Sequence, residues 1–131
     1  MVEIFEFLAP GILAAGVAWC GNRSLLNFFS EEKVAVFFAP ALEELAKTGF
    51  AVLLGAPVLP SHLIFGLLEA LRDLAGSGAR GPAAGLAGLA GHAAFGLAAS
   101  LVLSRSGFFP LAAAAGWVLH FGWNAFVFRL K

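Results

Sequence analysis

Glu43 and Glu44 are adjacent and are followed at Lys47 by an ammonium group, and three further places in the chain carry groups that could complete a site with them: Glu69, His92, and His120 with Asn124. Together they hold what acid–base hydrolysis needs: a carboxylate to take a proton from water, groups to return it, and donors to an oxyanion. Glu43 is the candidate general base, with Glu44 and Lys47 acting on it with opposite charge. His120 and Asn124, at i and i+4, stack on one helix face and can donate to an oxyanion. Two histidines with Glu69 or Glu43 also suit a zinc ion with an open position for water. The histidines stand 28 residues apart in sequence, which is not a local metal motif.

The surroundings of these groups are apolar. The chain has 131 residues, 60% of them hydrophobic and sixteen of them charged, with mean hydropathy +0.90 and zero net charge. A soluble domain of this length would carry about twice that charged fraction. Five stretches, about 4–20, 34–54, 61–75, 82–103 and 108–128, approach or reach the ~20 residues of a membrane-spanning helix. The expected fold is therefore an all-α integral membrane protein, one domain over 1–131 built as a compact bundle of about five helices. The acidic start, Met1-Val2-Glu3, lacks the basic region of a signal peptide, so the first helix is expected to be retained.

Each charged group at membrane depth costs about 2.5–3.5 kcal/mol on insertion scales, so such groups face a protein interior or a wet cavity. At about 1.5 Å per residue, Glu43, Glu44, Glu69, His92, His120 and Asn124 fall at comparable depth on four helices. Helical phasing lets Glu43, Glu44 and Lys47 face one cavity. Pro40, one turn earlier, removes a backbone hydrogen bond and leaves the carbonyl of Val36 without its helical partner. Ser30 is placed to cap the second helix, Pro57 and Pro60 to interrupt the chain after it, Gly76-Ser77-Gly78 to end the third, and Pro82 to open the fourth. Gly81, Gly85, Gly88, His92 and Gly96 share one face, a seam suited to close packing within the bundle or to a homodimer. Cys20 reads as a small apolar residue. His62 and Asp73 read as interfacial, Trp19 as an interface anchor, Trp117 and Trp123 as packing, and Arg72 and Arg80 as headgroup contacts.

The order EExxK (Glu43–Lys47), FxxxE (Phe65–Glu69), HxxxG (His92–Gly96) and HxxWN (His120–Asn124) resembles the PrsW family of intramembrane proteases, within the wider group of CAAX prenyl endopeptidases and bacteriocin-processing ABI proteins. CAAX-type relatives carry an arginine after the Glu pair and a histidine where this chain has Glu69. The resemblance implies an intramembrane endopeptidase of the prokaryotic cytoplasmic membrane, acting on a membrane-anchored protein such as an anti-sigma factor. It implies Glu43, Glu44, Lys47, Glu69, His92, His120 and Asn124 as site residues, with an oxyanion role for His120 and Asn124. Members of the wider group include both metalloproteases and glutamate-dependent enzymes, so zinc on Glu69, His92 and His120, with Glu43, and metal-free water activation both stand. Two other readings remain beside it: a proton-coupled transporter or channel, and a catalytically inactive membrane scaffold. The expected partners are the lipid bilayer and a membrane protein, not nucleic acid.

Basic residues give the orientation. Arg23, Lys33, Arg72, Arg80, Arg129 and Lys131 fall on one side of a five-helix arrangement and Arg105 on the other, which places the N-terminus outside and the C-terminus in the cytoplasm. A green fluorescent protein fused after Lys131 should fluoresce, and alkaline phosphatase fused at the same point should be inactive. The reverse pattern would refute this topology.

Overall fold

The apolar runs fold as helices throughout. A computed structural model describes residues 2–76 and 81–130. Its elements are α1 (Val2–Leu25), α2 (Glu31–Lys33), a π-helical turn (Val34–Phe38), α3 (Ala39–Leu53), α4 (Val58–Gly76), α5 (Gly81–Ser106) and α6 (Phe109–Phe128). α2, the π turn and α3 run on without a break, so the described residues form five helical rods and no strand. Ser77, Gly78, Arg80 and Lys131, used above for a helix end and for orientation, lie outside the described residues.

Three helices, Ile4–Leu25, Gly81–Ser106 and Phe109–Phe128, are long and apolar enough to cross a membrane. The other two rods carry the charge: Glu43, Glu44 and Lys47 on α3, and Glu69, Arg72 and Asp73 on α4. The rods also reach further than the apolar runs alone suggest. α1 continues past Cys20 to Leu25, which carries Asn22 onto helix, and α4 begins at Val58, a turn before Ser61.

Local chemistry explains the ends. Ser30 Oγ accepts a bond from the Lys33 amide, and Glu31 and Glu32 sit in that first turn, where the helix dipole favours negative charge. α3 stops at Gly55, whose φ of 66° is open to glycine, and the amide of Ala56 reaches back to the carbonyl of Ala51 at 2.8 Å. Pro57 follows in the connection, and Pro60 and Pro82 occupy the first turns of α4 and α5, where a missing N–H costs nothing.

Around the bundle the order is α1, α4, α5, α6, α3 and back to α1, with α3 also touching α4. The closest partnership, α4 with α5, is made by the glycine seam. A methyl at Gly96 would come within 2.6 Å of the His62 side chain, and one at Gly81 within 2.8 Å of the Asp73 carbonyl. From the other side, Gly66 of α4 admits His92, where a methyl would come within 2.8 Å. The seam is thus taken up by α4. Gly88 is the exception, with nothing within 4 Å of an added Cβ.

This packing encloses small apolar residues such as Ala14, Ala51, Ala99 and Ala112 together with large polar ones. The largest fully buried side chains are Lys47, His62, His92, Glu44 and Thr48, while Phe5, Leu53, Leu86 and many other large apolar side chains point outward. Water would penalise that distribution, and hydrocarbon would not.

Gly96→Leu should lower stability by about 1–3 kcal/mol through overpacking against His62. Gly88→Ala should be neutral or stabilising by up to about 1 kcal/mol, because it gains helix propensity in open space. Thermal unfolding in detergent compares the two, and equal behaviour would contradict the seam.

Candidate functional site

The site starts from one buried cation. Lys47 is fully buried on α3, and its ammonium bonds Glu44 Oε1 at 2.5 Å and His92 Nδ1 at 3.1 Å, 4.5 Å from the centre of the Phe65 ring. A buried ammonium has only donors, so each of its hydrogens must find a lone pair or a ring face. His92 Nδ1 therefore accepts, its proton sits on Nε2, and Nε2 donates to Glu69 Oε2 at 2.7 Å. On the other side, Glu44 Oε1 also accepts from His120 Nδ1 at 2.9 Å, which leaves the lone pair of a neutral His120 ring on Nε2. The ring of Phe95 stacks on His120 with centroids 4.8 Å apart, fixing the imidazole plane. Side chains from α3, α4, α5 and α6 thus form one continuous network from Glu69 through His92, Lys47 and Glu44 to His120.

The two adjacent glutamates both approach His120 Nδ1, Glu44 Oε1 at 2.9 Å and Glu43 Oε2 at 3.9 Å, but their other surroundings differ because successive residues project about 100° apart on a helix. Glu44 is fully buried, and Gly116 of α6 makes room for it: a methyl there would overlap Oε2. Glu43 turns toward α1, where Asn22 Nδ2 donates to its Oε1 at 3.1 Å. Lys47 therefore pairs with Glu44, three residues before it, and not with Glu43.

Glu43 lines a cavity of about 240 Å³ with Ala15, Ala18, Trp19 and Asn22 of α1 and Phe65, Leu68, Glu69 and Arg72 of α4. Arg72 Nη2 donates to Glu69 Oε1 at 2.9 Å, so Arg72, although its side chain is 64% exposed, completes the carboxylate's surroundings. A second cavity of about 330 Å³ lies between α4, α5 and α6 and includes Glu69, Asp73, Gly88, Trp123 and Asn124. Glu69 belongs to both.

Asn124 stands apart from the network. Its amide donates to the carbonyl of Ala35 at 2.9 Å, and Trp117 Nε1 donates to the carbonyl of Phe37 at 3.4 Å. Both carbonyls belong to the π turn that precedes Pro40, where the Ala39 amide bonds back to Val34. The disturbance expected at the Val36 carbonyl is thus a whole widened turn, and two α6 side chains satisfy carbonyls in it.

His62 corrects its interfacial reading. It is fully buried, with Nδ1 3.5 Å from Glu44 Oε2 and Nε2 3.4 Å from Thr48 Oγ1. Ser61, its neighbour, donates to the Lys47 carbonyl at 2.9 Å and ties α4 to α3. The periodic signal was present in His62 and Glu69, seven residues apart on one face, but the late start assigned to α4 placed His62 at a membrane edge. Asn22 was missed for the matching reason, because α1 was ended before it.

Two sets of ligand atoms could hold a metal ion: Glu44, His92 and His120, all buried, and Glu43, Glu69 and His92, of which the two carboxylates line the cavity and the imidazole is buried. His92 is common to both, while Glu69 and His120, expected together, fall in different sets. Lys47 already bonds two members of the first set, and an ammonium there competes with a metal for the same lone pairs. The second set is free of it except through His92.

Lys47→Met should destabilise the fold by about 3–5 kcal/mol, because it leaves the Glu44 carboxylate buried without its counter-ion. Adding Glu44→Gln should restore a large part of that loss in the same unfolding measurement. Strictly additive losses would mean the pair is not the unit described.

Compared with protein-family models, curated proteins and solved structures, the chain matches none, so any function assigned to it rests on its own residues and their geometry.

Proposed function

We propose that the chain is an integral membrane endopeptidase that hydrolyses peptide bonds of membrane-anchored proteins, with Glu43 as general base. The observation that carries this reading is the grouping of Glu43, Glu69 and His92, with ligand atoms within 4.8 Å of one another and the two carboxylates lining one cavity, backed by the buried Lys47–Glu44–His120 cluster. Membrane insertion is supported by three helices of spanning length and by a polar interior inside an apolar shell. The proposed orientation is N-out and C-in, in a prokaryotic cytoplasmic membrane. The cavity lies toward the end of the bundle where α1, α4 and α6 finish, the end that carries Arg23, Lys33, Arg72 and Arg129.

Asn22 holds Glu43 Oε1, which leaves Oε2 to take a proton from a water in the cavity. The hydroxide adds to the substrate carbonyl, the C–N bond breaks, and Glu43 returns the proton to the leaving nitrogen. Developing negative charge meets the Arg72 guanidinium and the remaining N–H of Asn22, both on the cavity wall. The oxyanion role that the family resemblance implies for Asn124 would require it to release Ala35. Lys47 and His92 hold Glu69 by a continuous hydrogen-bonded chain and fix the charge behind the cavity. Glu44 orients His120 and anchors the cluster.

The zinc reading rests on Glu43, Glu69 and His92. An ion there would be held by two carboxylates and one imidazole, and would lower the pKa of a bound water to about 7. His92 would then give up its Nε2–H bond to Glu69.

Glu43→Gln should reduce cleavage of a membrane-tethered reporter about 100-fold or more, the usual contribution of a general base, with unfolding unchanged. Retained cleavage would remove Glu43 from the mechanism, and ion flux in proteoliposomes without cleavage would favour a carrier. Metal analysis of the purified protein, with cleavage before and after chelation, decides between the zinc and metal-free forms. Stoichiometric zinc lost together with activity establishes the former.

A further inference from the structure

The two cavities that meet at Glu69 differ in chemistry. The smaller one is walled by Ala15, Ala18, Phe65 and Leu68 beside the reacting carboxylates. The larger one, within the usual size range of ligand pockets, is open where Gly88 has no side chain and carries Glu69, Asp73 and the Trp123 ring. Glu69 and Asp73 are one helical turn apart and share a face. Asp73 has Arg72 only at 3.7 Å, and Arg72 lines the other cavity. Among the described residues that line the larger cavity, none is basic. Two carboxylates and an indole are what a cationic side chain selects, through charge and through the ring face.

Both cavities lie toward the end of the bundle that bears Arg23, Lys33 and Arg129, the cytoplasmic end in the proposed orientation. Membrane-anchored polypeptides place Lys and Arg at that same boundary, directly beside their apolar span. Resting on the endopeptidase reading, we infer that this chain takes substrates at their cytoplasmic membrane boundary, seating an apolar side chain in the smaller cavity and a lysine or arginine in the larger one. The scissile bond then lies at Glu69, the residue that lines both cavities, within reach of Glu43. Asp73, Trp123 and the open space at Gly88 set the specificity.

The test uses the full chain in micelles and three synthetic peptides that share one Leu/Ala-rich span. They differ only in a flank of Lys/Arg, Ser/Gln or Glu, and products are located by mass spectrometry. The basic flank should be cut at the boundary about tenfold faster or more than the neutral one, a usual size for pocket discrimination. Asp73→Asn should reduce that preference about fivefold, as expected of one half-exposed charge pair. Gly88→Leu, which extends into the cavity from a position where an added Cβ meets nothing within 4 Å, should abolish cutting at the boundary with the unfolding midpoint unchanged. Equal cutting of all three flanks, or a preference unmoved by both variants, overturns the inference and leaves the endopeptidase reading intact. If no peptide is cut, that reading fails and the cavity is judged by binding of the Lys/Arg peptide, followed by tryptophan fluorescence. Saturable binding weakened by Asp73→Asn and Gly88→Leu upholds a cation-selective cavity, and binding that is absent or unaffected by both overturns it.

Discussion

One buried contact, the Lys47 ammonium against Glu44, organises this molecule. An ammonium removed from water must be met on every side, and here it is met by a carboxylate, an imidazole nitrogen and a phenyl face. Those partners come from α3 itself, α5 and α4, and Glu44 in turn recruits His120 from α6. Four helices are thereby fixed in rotation and in register. The small residues follow from the same demand: Gly66, Gly96 and Gly116 are the places where helices must come close enough for His92, His62 and Glu44 to fit. Large apolar side chains are left for the outside, the reverse of a water-soluble core.

Helix geometry then separates roles that sequence adjacency joins. Because Glu43 and Glu44 project about 100° apart, one is enclosed among α4, α5 and α6 while its neighbour meets α1 and an open cavity. The fully enclosed carboxylate is the counter-ion of Lys47, and its neighbour, also buried, lines a cavity. The π turn at Val34–Phe38 adds a second device of this kind. It leaves carbonyls that Asn124 and Trp117 satisfy, so α6 is fastened to the start of the α3 rod by side chains that also border the larger cavity or meet the Phe37 ring edge to face. A buried polar cluster and a cavity wall thus sit one residue apart on the same rod.

Much of this was legible in the residues alone, for identifiable reasons. Charge in an apolar run has a large cost, so Glu43, Glu44, Lys47 and Glu69 announce an interior position whatever the fold. Caps and breakers such as Ser30, Pro57 and Pro82 act over one turn, so they can be read locally. Comparable depth on four helices follows from a fixed rise per residue, which is why Glu69, His92 and His120 could be expected near the Glu pair. Asn22 escaped because apolarity stops being a guide where a helix continues beyond its apolar run, and His62 because the start of α4 at Val58 carries it about a turn deeper than a run beginning at Ser61 suggests.

The sequence by itself determined that this chain is helical, apolar on its lipid-sized faces, and burdened with a few charges that need one another. Composition and periodicity suffice for that, since they depend only on transfer energies and backbone geometry. Only the tertiary structure decided which of two adjacent, buried carboxylates is fully enclosed and which lines a cavity, that Lys47 serves Glu44, that Asn124 serves the π turn, and that Glu69 lines two unlike cavities. Those outcomes depend on the rotation and separation of neighbouring helices, which are set by contacts between residues distant in the chain.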